Sequence, residues 1–141
     1  HAFKLFQRSG RPAALLLTDI DNFKTTNDRY GHGMGDVVVR RVGEVLRGAV
    51  SGGDVPARFG GDEFALLLAP ADRERALLVA EQVRSGIADL VFEAEPGMRC
   101  TVSIGLAETR SAHDALADWI RDVDAALYRA KAAGRDRVEA G

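Results

Sequence analysis

This chain of 141 residues carries a single cysteine, so an internal disulfide is excluded and a reducing, cytoplasmic setting is expected. That cysteine, Cys100, stands in the apolar run Met98–Ala107 and reads as a buried, inert thiol. Long hydrophobic runs are missing too. Stretches such as Ala13–Leu17 are far too short to span a bilayer, no segment reads as a signal peptide, and no membrane contact by this domain is expected. Neither charge sign dominates: 19 Lys and Arg face 21 Asp and Glu, for a net charge of -2. Nothing global therefore draws the chain to DNA, RNA or an anionic surface, and any anion site must be local. Internal repeats and low-complexity linkers are absent as well.

What remains is an ordinary soluble composition, 46% hydrophobic and 28% charged, at a length that fits one compact domain. The opening His1-Ala2-Phe3-Lys4-Leu5-Phe6 reads as the middle of an amphipathic helix with no cap before it. The expectation is a single domain, 1–141, cut from a longer protein that is open to a membrane anchor elsewhere.

Along the chain, Ser9-Gly10-Arg11-Pro12 punctuates, and Ala13–Asp19 reads as a short strand buried on both faces. Phe23–Tyr30 predicts a short helix stopped by Gly31 and Gly33. Gly35-Asp36 then opens a longer helix with Val38, Val42, Val45 and Ala49 on one face, ended by Ser51-Gly52-Gly53. Val55–Phe59 and Glu63–Ala69 are extended runs joined through Gly60-Gly61-Asp62, a hairpin signal because tight turns need positive φ at their centre. Asp72 caps a helix with Ala76, Ala80, Val83, Ile87 and Leu90 on its apolar face. Arg99–Ala107 is a strand; Leu116, Ile120, Val123, Leu127 and Ala130 line the last helix, which ends at Gly134; Arg137–Glu139 is a short edge strand. This order predicts an α/β (α+β) sandwich with a ferredoxin-like, palm-type βαββαβ core: a central, mostly antiparallel sheet flanked by helices.

Four groups of residues carry chemistry. Asp19-Ile20-Asp21 ends a buried strand, where α/β folds place ligands, and Mg²⁺ needs only one or two protein carboxylates beside phosphates and water. Alone, Asp21 or Asn22 reads more simply as a cap for the next helix. Arg58-Phe59-Gly60-Gly61-Asp62-Glu63-Phe64 sets two adjacent acids at a turn that a bulky ligand can approach closely. Asn27 and Asp36 flank a glycine-punctuated turn, and a carboxylate there can accept both N1–H and N2–H of guanine. Alone, Asp36 reads as a helix cap and His32 as a hydrogen-bonded turn residue. Lys24 lies in the first turn after the strand, where free amides favour phosphate, while Lys131 and Arg135 close the last helix and also suit its dipole.

These blocks together resemble the GGDEF (diguanylate cyclase) family, named for the residues standing here as Gly60-Gly61-Asp62-Glu63-Phe64. The pattern also covers Asp19–Asp36, Val102-Ser103-Ile104-Gly105 and Ala126–Val138, so the likeness runs from about Phe3 to Val138. The resemblance implies an enzyme that condenses two GTP molecules into cyclic di-GMP and pyrophosphate, working as a homodimer of half-sites. It implies Mg²⁺, or Mn²⁺ in its place, two ions per GTP site, on the carboxylates of Asp19 and Asp62 and the Ile20 carbonyl. Asp62 is also implied as acceptor of the 3′-hydroxyl proton, with Glu63 and Lys24 among the catalytic residues. Asn27 and Asp36 would read guanine with His32 lining the site; the Phe23 and Lys24 amides, the Lys24 ammonium, Lys131 and Arg135 would hold the triphosphate. A fused sensory or regulatory domain in the full-length protein follows from the same likeness.

Two departures stand out. The Asp-x-Leu-Thr-x-Leu-x-Asn-Arg stretch that usually precedes the first helix is not in this sequence, which bears on the dimerisation and activity of these 141 residues alone. The family's product-inhibition motif, Arg-x-x-Asp, reads Ser51-Gly52-Gly53-Asp54 here, an allosteric product site degenerate at the arginine. Besides an active cyclase, the residues leave open a non-catalytic GTP- or cyclic-di-GMP-binding regulatory module, an inert structural domain, and a purine cyclase on a similar palm. Intact Asp19, Lys24, Asp62 and Glu63 favour the first.

Overall fold

The computed structural model describes residues 1–141. The elements run α1 (Ala2–Ser9), β1 (Ala14–Ile20), α2 (Phe23–Tyr30), α3 (His32–Ala49), β2 (Val55–Arg58), β3 (Glu63–Leu68), α4 (Arg73–Ala88), β4 (Val102–Glu108), α5 (Leu116–Ala132) and β5 (Arg137–Ala140). The sheet order is β2-β3-β1-β4-β5, antiparallel throughout except that β5 lies parallel to β4. This is the anticipated βαββαβ sandwich, extended by one edge strand.

Helices cover both faces of the sheet, which is why β1, at its centre, is apolar and buried almost throughout. Leu16 and Ile20 join Leu66, Ile104 and Leu106 in a core closed by Val38, Val42 and Leu46 of α3 and by Ala76, Ala80, Val83 and Ile87 of α4. Cutting Leu16 to alanine there would cost about 2–5 kcal/mol. The alternate residues Ala13 and Leu17 meet Ala65, Ala107, Phe3 of α1 and Trp119, Val123 and Leu127 of α5. Phe3 stacks on Trp119 with ring centroids 5.9 Å apart, and Trp119 Nε1 donates to the Ala107 carbonyl at 2.9 Å. Gly105 brings α5 close to the sheet, since a Cβ on it would lie 2.7 Å from the Val123 carbonyl oxygen and 2.6 Å from Leu127 Cα. No helix is long and apolar enough to cross a membrane.

Several local expectations need correction. The long helix begins at His32, so Gly33 and Gly35 lie inside α3 and Asp36 does not cap it. The hairpin glycines Gly60 and Gly61 are not in the positive-φ region. The turn is wider than a tight two-residue one: the Phe59 and Gly60 amides both donate to the Glu63 carbonyl, at 2.9 and 3.4 Å. Arg58 secures it, its guanidinium donating to the Gly60 and Gly61 carbonyls at 2.9 and 3.0 Å. The fourth strand starts at Val102, three residues later than Arg99. Leu116 and Ile120 of α5 face outward, and Trp119 and Ala126 are buried in their stead. Asp72 does cap α4, its Oδ1 accepting from the Arg75 amide at 2.9 Å.

Candidate active site

β1 and β3 lie side by side, with Asp19 directly opposite Glu63 and the Ile20 amide donating to the Asp62 carbonyl at 3.0 Å. That pairing brings the Asp19 and Asp62 carboxyls together at one end of the sheet. A cleft of about 300 Å³ opens there, lined by Asp19, Ile20, Asp62, Phe23, Lys24 and, from across the sheet, Lys131 and Arg135, with Asp21, Asn22 and Thr25 completing the wall. Three of the four groups read from the sequence thus share one cavity. Asn22 caps α2 in a left-handed conformation (φ 54°) without a side-chain bond, so its side chain leaves the first-turn amides of Phe23 and Lys24 unclaimed.

The electrostatics of Asp19 bear on a metal. Burial pushes its carboxyl above the ordinary value; the Lys131 ammonium opposes this, and the adjacent Asp62 carboxylate adds to it. Lys131 Nζ binds Asp19 Oδ2, while Asp19 Oδ1 is buried with no hydrogen-bond partner. An orphaned carboxylate oxygen beside a second carboxylate suits a hard divalent cation whose remaining shell comes from phosphate and water. The residues present therefore fit Mg²⁺ or Mn²⁺.

The guanine-reading candidates lie outside this cleft's wall. Asn27 packs against Gly35 of α3, which has no Cβ to displace it, and Asn27 Oδ1 is buried without a partner. Asp36, next to Gly35, and His32 are both exposed on the start of α3. Starting α3 at His32 places His32, Gly35 and Asp36 on consecutive helical turns beside the end of α2. Glu63, first in β3, is exposed, and its Oε2 lies 4.0 Å from where a Cβ on Gly60 would be.

Asp54 occupies a different setting from the one its motif suggests. Its side chain is 0% exposed and is gripped by Arg75 Nη1 and Nη2 at 3.2 and 2.6 Å and by the Ser51 and Ala69 amides at 3.0 and 3.1 Å. Burial alone would raise this carboxyl; the Arg75 fork and the two amides outweigh it and hold it below the usual range. Asp54 is therefore not free to accept from a guanine. Cys100 is buried as anticipated, its thiol pushed up to about 12 by burial and by the Asp21 charge.

The role of one residue of the neighbourhood, named in the sequence as a possible helix cap, escaped that reading. Asp21 does not cap α2; it is 8% exposed and accepts from Ser103 Oγ at 2.6 Å, Thr101 Oγ1 at 2.8 Å and the Asp136 amide at 3.0 Å. Its partners lie 80 or more positions away, so no local signal could have found them.

Known proteins resemble this chain in sequence and in fold. The family model described as "Diguanylate cyclase, GGDEF domain" matches residues 1–137. The probable diguanylate cyclase DgcC of Escherichia coli K12 is 37% identical over 133 residues, covering 94% of this chain and 36% of that protein. DgcM, a diguanylate cyclase of the same strain, is 42% identical over 125 residues, covering 89% and 30%. This chain spans about a third of the length of these curated relatives. Among solved structures, the active GGEEF domain of a diguanylate cyclase from Vibrio cholerae superposes with a TM-score of 0.93 at 32% identity, covering 99% of this chain and 88% of that one. The GGDEF domain of Caulobacter crescentus DgcB, solved with c-di-GMP, gives 0.91 at 31% identity, covering 99% and 83%. With a family match over nearly its whole length and the motif acids set side by side, the chain belongs to the GGDEF family.

Proposed function

We propose that residues 1–141 form one catalytic domain of a longer protein and condense two GTP molecules into cyclic di-GMP, releasing pyrophosphate. The observation that carries this reading is the single cleft that joins the paired acids Asp19 and Asp62 to the cations Lys24, Lys131 and Arg135. Paired acids beside three cations suit a metal-bound nucleoside triphosphate, which a module built to bind the dinucleotide product alone would not need.

In this reading the Phe23 and Lys24 amides, the Lys24 ammonium, Lys131 and Arg135 hold the triphosphate, and Asn27 and Asp36 read guanine with His32 beside them. Asp19, Asp62 and the Ile20 carbonyl would hold Mg²⁺ or Mn²⁺, which when bound supplies positive charge to the attacking and leaving oxygens. Asp62 takes the proton of the ribose 3′-hydroxyl, and Glu63 stands beside it as the second acid. The freed 3′-oxygen forms a bond to the α-phosphorus of a GTP on a facing domain. The bond from that phosphorus to the bridging oxygen breaks, and pyrophosphate departs. A second, symmetric transfer closes the ring. Each chain supplies half a reaction site, so most of the rate comes from positioning two loaded domains, and the working species is a homodimer. GTP supply places the reaction in the cytoplasm, and a fused sensory domain would set how often two domains face each other.

The test is to incubate the full-length protein with GTP and Mg²⁺ and analyse the products. Cyclic di-GMP and pyrophosphate in a 1:2 ratio are the expected outcome. Tight GTP binding with no dinucleotide formed would favour a regulatory module instead.

A further inference from the structure

Arg135 sits in an unusual stretch of backbone. Gly134, Arg135 and Asp136 follow one another at φ 124°, 62° and 45°, and the last two are not glycines. Left-handed backbone is costly for residues with a Cβ, so contacts elsewhere must hold this turn in place. Two do so through Asp136. Its carboxylate accepts from Arg84 of α4 at 2.8 Å, and its amide donates to the buried Oδ2 of Asp21 at 3.0 Å. The Arg135 amide itself donates to the Ala130 carbonyl at 3.0 Å, closing the end of α5.

Asp21 lies two residues beyond Asp19 and immediately after the end of β1. Its amide continues the ladder to β4 by donating to the Thr101 carbonyl at 2.9 Å, while Ser103 and Thr101 fix its carboxylate. These two hydroxyls set the orientation of the side chain, and its Oδ2, which accepts from Thr101, also accepts from the turn that bears Arg135. We propose that Asp21 is a positioning residue: it anchors the Asp136 amide and so holds the Arg135 guanidinium over the cleft where the triphosphate binds. The proposal rests on the reading of that cleft as the GTP site. Asp21 touches no phosphate; it acts through Arg135.

The experiment is a double-mutant cycle on affinity for guanosine 5′-(α,β-methylene)triphosphate, which cannot release pyrophosphate, with GMP as a second probe and thermal unfolding run in parallel. Asp21→Ala is expected to weaken the triphosphate about tenfold, the size of losing a hydrogen bond to a charged group. GMP, which lacks the β- and γ-phosphates, should lose distinctly less. Combined with Arg135→Ala, Asp21→Ala should add almost nothing, because the group it positions is gone. Ser103→Ala, which removes one of the two hydroxyls that fix Asp21 but leaves the Asp136 contact, should weaken the triphosphate less than Asp21→Ala does and likewise add almost nothing to Arg135→Ala. Additive losses in the cycle, or an equal loss for GMP, would overturn the positioning role. If Arg135→Ala alone left triphosphate affinity unchanged, the cleft reading itself would fall, and this proposal with it. Should Asp21→Ala not fold, Asp21→Asn takes its place in the cycle with an expected effect of about threefold, and additivity there is equally fatal.

Discussion

Asn27 rests its carboxamide on the bare α-carbon of Gly35, and its Oδ1 is buried there with no donor. A methyl group at position 35 would push that short side chain aside, while alanine is otherwise welcome inside α3. Gly35→Ala is therefore expected to leave the melting temperature unchanged or slightly raised, yet to weaken GTP binding about tenfold with ATP unaffected. Calorimetry with both nucleotides, run beside Asp36→Ala, checks it. An unchanged GTP affinity would remove Asn27 from guanine recognition.

Asp62→Ala should abolish dinucleotide formation, by two orders of magnitude or more, as expected for loss of a proton acceptor. The fold should survive, because Asp62 stands in the hairpin turn and joins neither hydrophobic core. Circular dichroism and product analysis on the same sample check both halves. Wild-type turnover in this variant would refute the metal and proton roles together.

The Asp54–Arg75 pair makes a prediction about acid. Because the folded-state pKa of Asp54 lies below its unfolded value of about 3.9, the pair stabilises the fold fully above that pH. The contribution drains away as pH falls through the lower, folded-state value. Asp54→Asn should cost roughly 1.5–3 kcal/mol at neutral pH. The gap between wild type and variant should narrow only below about pH 4, and denaturant melts across pH 3–7 measure it. A gap that closed already at pH 6 would mean that another group is titrating.

Feedback by product through the usual site should be weak. Ser51 has no guanidinium to offer a dianionic cyclic dinucleotide, and Asp54 is already committed to Arg75. Ser51→Arg alone should restore little inhibition, since only half of the motif becomes available. Product-inhibition curves for wild type and Ser51→Arg decide it; strong inhibition of the wild type would place a product site elsewhere.

Rate per chain should rise with protein concentration, or on fusion to a dimerising helix. A rate per chain indifferent to dilution, in a sample shown to be monomeric by light scattering, would contradict the two-half-site mechanism.

Much of the fold could be read from local pattern. β1 and the core-facing Ala76, Ala80, Val83 and Ile87 of α4 follow from apolar spacing, α2 from its glycine stop, and the sandwich from the order of elements; Leu90, expected on the same helix face, lies beyond the end of α4. The misreadings share a cause, which is that residue type and spacing do not show which side chain meets which backbone group. Glycines 31, 33 and 35 read as one break, yet α3 starts inside them at His32, and Gly35 is a helical residue whose missing Cβ leaves room for Asn27. Gly60 and Gly61 suggested a left-handed turn, but the Arg58 guanidinium holds their carbonyls and makes that conformation unnecessary. Leu116 and Ile120 kept the helical period of α5 but line an open apolar groove with Leu15, Ala65 and Leu67 and so stay exposed. In the cleft, Asp19 and Asp62 were legible as separate acids, and their meeting depended on the β1–β3 register.

Gly105 gives the depth at which α5 sits a chemical meaning. The helix backbone at Val123 and Leu127 lies almost on the strand, and one turn further along Lys131 reaches Asp19. Any side chain at position 105 would act as a shim, raising the helix and carrying the Lys131 ammonium away from the acid it meets. The thickness of the sandwich at that one point thus sets the reach of a cation at the cleft, and a loss of function at Gly105 would be a fault of spacing, with every polar residue still in place.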